Sequence, residues 1–125
     1  MNRLWLMLAA LGGFSGVALG AFAAHGLRAQ LSPAYLATFQ TGVHYQLIHS
    51  LALLALAGFG AQLGRLGLWA ARAFVLGTVL FSGSLYLLTL TATPQLGMIT
   101  PLGGLAFLFG WACLFLAGWR QAKTP

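Results

Sequence analysis

The chain has 125 residues, 60% of them hydrophobic and only 5% charged, and its six basic side chains face no aspartate or glutamate. An ordinary soluble domain is about one quarter charged, so polar surface is too scarce for a water-soluble globule and the solvent is lipid. The missing carboxylates disfavour paired-carboxylate glycosidase chemistry, hard-cation cages and a membrane proton relay. The formal charge of +6 is scattered singly between apolar runs, which points to topology signals and anionic lipid headgroups as partners and away from nucleic acid.

Apolar runs occur at Leu4–Ala24, Tyr45–Gly64, Ala71–Thr91 and Pro101–Trp119. Each has roughly the 20 residues that a helix needs to cross about 30 Å of hydrocarbon. They lack the alternation of a barrel strand. The pattern predicts an all-α fold, a four-helix transmembrane bundle in one integral membrane domain covering residues 1–125.

The first run has Arg3 ahead of it and Ala21-Phe22-Ala23 near its end, which imitates a signal peptide. Its apolar part is longer than the usual 7–15 residues or so, and a retained span is expected. Gly12, Gly16 and Gly20 place a small residue at every fourth position. Such a helix-packing face lets another backbone approach closely, either inside the bundle or between copies. His25 ends this helix.

Ser32-Pro33 reads as an N-cap followed by proline at the first helical position. A helix from Pro33 to Gly64 is about 48 Å long. That exceeds the hydrocarbon thickness, so its first turns are expected at headgroup level, ahead of the span that starts near Tyr45. Gln40, Thr41, His44, Tyr45, Gln46, His49 and Ser50 crowd into this entry. At about 100° per residue they wrap around the helix, which hydrocarbon alone does not tolerate. His49 should lie about 7 Å deeper than His44.

The third run offers a matching stripe, Thr78, Ser82, Tyr86 and Thr89, and bonds from His49 to Ser82 or Tyr86 are expected. The candidate polar pocket is therefore His25, Gln40, His44, Gln46, His49, Ser82 and Tyr86, open to the outer leaflet. Phe14-Ser15-Gly16 recurs as Phe81-Ser82-Gly83, and Ser32-Pro33 as Thr100-Pro101. These matches suggest a parallel two-plus-two helix-hairpin repeat. Thr100-Pro101 is read as a second N-cap, and the lone Cys113 as a small packing residue.

Arg3, Arg65, Arg72, Arg120 and Lys123 fall on one side of such a bundle and Arg28 alone on the other. This bias predicts that both termini are cytoplasmic. His44 and His49 are about 140° apart around their helix and do not converge on one ion. Neither an H-x-x-x-H nor a C-x-x-C-H motif occurs, so no metal or cofactor is expected. A serine paired with His49 would lack the acid that orients a catalytic imidazole, so no catalytic residue and no enzyme activity are expected.

Four strings together carry a resemblance: GAFAAHGL at Gly20–Leu27, YQLIHSLALL at Tyr45–Leu54, SGSLY at Ser82–Tyr86 and ITPLGG at Ile99–Gly104. In order and spacing they resemble the small integral membrane proteins of "domain of unknown function 423", over almost the whole chain. The resemblance implies a compact four-helix membrane protein, in bacteria one of the plasma membrane, and implies no reaction. His25 and His49 match motif positions, and His44 falls where the pattern is looser. The expected function is a non-enzymatic, oligomer-forming or accessory subunit of a membrane assembly. The alternative is a protein that binds or transports a small solute or lipid in the polar pocket.

Overall fold

The computed structural model describes residues 3–122. Lys123, one of the basic residues counted above, lies outside them. The described residues are helical almost throughout and contain no strand. Helix α1 runs Arg3–His25 and α2 runs Pro33–Phe59, followed by a 3-10 turn at Gly60–Leu63. Then come α3 (Gly64–Gly77), a π-helical segment (Thr78–Ser82), α4 (Gly83–Thr91), a second 3-10 turn (Pro94–Met98) and α5 (Thr100–Ala122).

Among the described residues three helical stretches are long and apolar enough to cross a membrane: Arg3–His25, Pro33–Thr91 and Pro94–Gln121. The middle one has 59 residues and is folded back on itself. Ser82 Oγ donates to Gly42 O at 2.6 Å across 40 positions, a separation of about 60 Å along a straight helix. The reversal uses no extended loop. It is made at Gly60–Leu63 and completed by Gly64, whose φ of 62° and ψ of −139° suit a residue without a Cβ. Gly67 presses on this turn, since a Cβ there would lie 2.5 Å from Gly60 O. Helix α3 thus begins at Gly64, ahead of the apolar run that the sequence starts at Ala71, because the turn needs no spacer.

Helix α2 lies at the centre. It packs on α1, on α3, on the π segment and on α4, while α5 packs on α3 and the π segment. Helix α1 buries only Ala9, Gly16 and Ala23, a seam with a seven-residue repeat. Cβ atoms added at Gly12, Gly16 and Gly20 would meet Ser50, Leu47 and Val43 in turn. The order is antiparallel, and the expected helix-packing face is occupied by α2 of the same chain. Gln121 Nε2 donates to Gln62 O at 3.1 Å. The start of α1, the Gly60–Leu63 turn and the end of α5 therefore share one end of the molecule.

Ser32 caps α2 as expected, its Oγ accepting from the Tyr35 N–H at 3.1 Å. Thr100 does not act as a side-chain cap. Its hydroxyl is bonded to Ser84 Oγ at 2.6 Å, which ties α5 to α4. The repeated Phe-Ser-Gly triplets differ in setting: Phe14 is 78% exposed on α1, whereas Phe81 packs on Tyr45 and Phe107.

Two apolar cores result. One, nearer the turn end, contains Ala9, Leu53, Leu56, Phe74, Phe107 and Cys113. The other, toward the opposite end, contains Ala23, Leu27, Phe39 and Val43. A belt of polar residues separates them.

Candidate binding groove

The belt is built on α2. Gln46 is its hub: Nε2 donates to Gly12 O at 2.9 Å and to Ser15 Oγ at 2.8 Å, and Oε1 accepts from Tyr86 O–H at 2.6 Å. One side chain thereby joins α1, α2 and α4. Ser15 in turn donates to Leu11 O at 2.8 Å. Ser82, fully buried, bonds to the Gly42 carbonyl, and Gly42 has no room for a Cβ, which would sit 2.8 Å from Tyr86 Cε1. These bonds satisfy groups that hydrocarbon cannot.

His49 has partners other than the expected ones. Trp111 Nε1 donates to His49 Nε2 at 3.0 Å, and Nδ1 lies 2.7 Å from Tyr45 O. Indole is a donor only and a carbonyl an acceptor only. Nε2 is therefore the acceptor and Nδ1 carries the hydrogen, so the ring is held as one neutral tautomer. It stacks on Phe107 with centroids 3.6 Å apart and planes 10° apart, and meets Phe74 edge-on. Ser82 and Tyr86 are turned instead to Gly42 and Gln46. The π segment accounts for the difference: its wider turn changes the facing of residues counted at α-helical intervals.

The sequence-predicted pocket is divided. Gln46, His49, Ser82 and Tyr86 come together in the belt. Gln40 and His44 are exposed and line a separate shallow depression with Ala37, Thr41 and Tyr45. His25 is exposed at the end of α1. Among the described residues no three His, Cys, Asp or Glu side chains are grouped to hold a metal. Trp111 was missed from sequence. Its signal is an indole about 12 Å inside the end of the last apolar run at Trp119, where the N–H needs a partner.

Beside the belt lies a groove of about 430 Å³ between α1 and the π segment, floored by α2. Leu8, Leu11, Leu19, Leu53, Val75 and Val79 supply apolar walls; Ser15, Gln46, Ser50, Thr78 and Tyr86 supply polar atoms. Among the described residues no lining side chain is Lys, Arg, Asp or Glu. The groove exists because α1 packs chiefly on α2 and leaves the π segment uncovered.

The family described as "Protein of unknown function (DUF423)" matches residues 19–104, a stretch that includes α2, the π segment and the whole polar belt except Gly12, Ser15 and Trp111. The chain belongs to the DUF423 family. It is similar to the UPF0382 inner membrane protein YgdD of Escherichia coli (strain K12), 43% identical over 125 residues that cover 98% of this chain and 94% of that protein. A UPF0382 membrane protein of Haemophilus influenzae is 43% identical over 121 residues, 97% of this chain and 98% of its own. The UPF0382 membrane protein YwdK of Bacillus subtilis is 39% identical over 117 residues, 92% and 95%. No solved structure matches.

Proposed function

We propose that this DUF423 protein is a non-enzymatic membrane protein that holds a lipid-soluble, largely apolar molecule in the lateral groove. The groove carries the reading. Its volume of about 430 Å³ falls within the roughly 300–1,000 Å³ of small-molecule sites. Apolar walls with a few convergent polar groups are the usual composition of such sites. The neighbouring groups support binding over catalysis, since both ring nitrogens of His49 are engaged and Ser82 is bonded to a carbonyl.

In this reading the folded-back stretch counts as two crossings, giving four spans, and both termini face the cytoplasm. Arg65 and Arg120 line one depression at the end that also holds Arg3, as cytoplasmic placement and anionic headgroups favour. Arg72 Cζ lies 5.3 Å from the Trp69 ring centroid, on the path of a side chain snorkelling toward that end. The relatives named as inner membrane proteins support the same membrane here. The accessory-subunit reading has less behind it, because the glycine face that favoured self-association is covered by α2.

Gly83 gives the test. It borders the groove, has helical φ and ψ, and a Cβ there meets nothing within 4 Å. Gly83→Phe should fill the groove without disturbing the fold. Lipid extracts of the purified full-length protein should contain a molecule near one equivalent, and the folded variant should lose it. Equal extracts from the two proteins refute the reading.

A further inference from the structure

Most serine and threonine hydroxyls on the helices are satisfied by their own backbone or by another side chain: Ser15, Thr38, Thr41, Thr89 and Thr91 all bond to a carbonyl one turn back. Two are different. The hydroxyls of Ser50 on α2 and of Thr78 at the start of the π segment have no hydrogen-bond partner among the described residues, and both residues line the groove. Ser50 is 7% exposed. No fully enclosed side-chain polar atom among the described residues lacks a partner, so the Ser50 hydroxyl keeps some exposure; it lies against Gly12, where an added Cβ would be 2.3 Å from its oxygen, and both residues line the groove. A hydroxyl facing hydrocarbon without a hydrogen bond is unfavourable, and π-helical insertions such as the one beginning at Thr78 are frequent at functional sites.

Depth restricts what can answer these two groups. Ser50 lies about 14 Å along α2 from its end at Phe59, and Thr78 about 21 Å along α3 from Gly64. Both positions are near the middle of a hydrocarbon core about 30 Å thick. Phospholipid ester groups lie at the edges of that core. A polar group that meets either Ser50 or Thr78 belongs to a molecule that resides inside the bilayer. Both hydroxyls can donate, and the groove carries no charge, which asks for a neutral acceptor such as a carbonyl oxygen. The rings of Phe74 and Tyr86 also border the groove and suit a flat head.

Resting on the groove reading above, we infer that the groove's ligand is a neutral ring bearing two carbonyls on an apolar tail, the chemistry of an isoprenoid quinone, with Ser50 donating to one carbonyl oxygen and Thr78 to the other. Binding alone is assigned, with no electron transfer.

The test titrates full-length protein in nanodiscs with a decyl-substituted benzoquinone and follows tryptophan emission, since Trp111 contacts both His49 and Phe74. Saturable quenching is expected near one equivalent. Ser50→Ala combined with Thr78→Val should weaken binding about tenfold, the value of two modest intramembrane hydrogen bonds. Thr78→Ser, which keeps the hydroxyl, should bind as the wild type does. The ligand-free double variant should melt no lower than wild type, because the lost hydroxyls had no partner; a purely structural role would lower it. Absence of saturation, or equal affinity in the double variant, overturns the quinone-class assignment. If a phospholipid then co-purifies and is lost in Gly83→Phe, the groove reading survives and this inference alone falls. If nothing co-purifies, both fall.

Discussion

Gly103 and Gly104 are adjacent on α5, yet the structure gives them opposite tolerances. A Cβ at Gly103 would lie 2.3 Å from Phe81 N, 2.7 Å from Phe81 Cβ and 2.8 Å from Phe81 Cα. Two of these atoms are backbone and cannot rotate away. Ordinary contact needs about 1 Å more, so Gly103→Ala must push α5 off the π segment. Overpacking of this kind costs about 1–3 kcal/mol, against a helix-propensity gain of up to about 1 kcal/mol. Separation also strains the Ser84–Thr100 bond and the Phe81–Phe107 contact, so a net loss of about 1–2 kcal/mol is expected. At Gly104 the nearest atom is Phe81 Cδ2 at 4.0 Å, and alanine should be neutral or mildly stabilising. The assay is reversible unfolding in mixed micelles of rising SDS fraction, followed by circular dichroism. Equal stabilities for Gly103→Ala and Gly104→Ala would refute the close approach of α5 to Phe81.

Trp111→Phe removes the indole donor to His49 Nε2 and should destabilise by about 0.6–2 kcal/mol; ¹⁵N NMR of the imidazole should show the single Nδ1–H tautomer give way to a mixture. Gln46→Leu breaks bonds to Gly12, Ser15 and Tyr86 and should cost more than Tyr86→Phe, which breaks one; in the double variant the costs should fall short of additive, as unfolding midpoints in the same micelles can show. Gly64→Ala places a Cβ on a residue at φ 62° with open space around it, so the cost is conformational, about 1 kcal/mol or more. It should lower the thermal midpoint, whereas Gly58→Ala, inside α2 and equally uncrowded, should raise it or leave it unchanged.

Sequence reasoning found what hydropathy and caps encode. The extent of α1 and the proline-led start of α2 follow from run length and Ser32-Pro33. The partners in the belt were harder to see. His49 and Trp111 are 62 positions apart, and nothing local links an indole on the last helix to a histidine on the second. The stripe of Thr78, Ser82, Tyr86 and Thr89 was visible, but α-helical counting presents all four to one neighbour. The π segment instead leaves Thr78 on the groove and buries Ser82 against α2. Gln46 emerged as the hub only once Gly12 and Gly16 had brought α1 close enough for its amide to reach a backbone carbonyl.

The tight reversal at Gly60–Leu63 also bears on how the chain enters the bilayer. Helix α2 alone would carry Gln46, His49 and Ser50 into hydrocarbon, a poor passenger for single-file insertion. Synthesis presents its remedies in sequence: Ser15 and the Gly12 carbonyl are already made, and the short turn delivers Ser82 and Tyr86 directly behind it. Helices α2 to α4 are thus suited to leave the translocon as a hairpin, with α1 alongside. Trp111 arrives last. A nascent chain stalled after Thr91 should already be membrane-integrated, resisting alkaline extraction, with His49 Nε2 still awaiting its donor; the closing step of biogenesis is then the docking of α5.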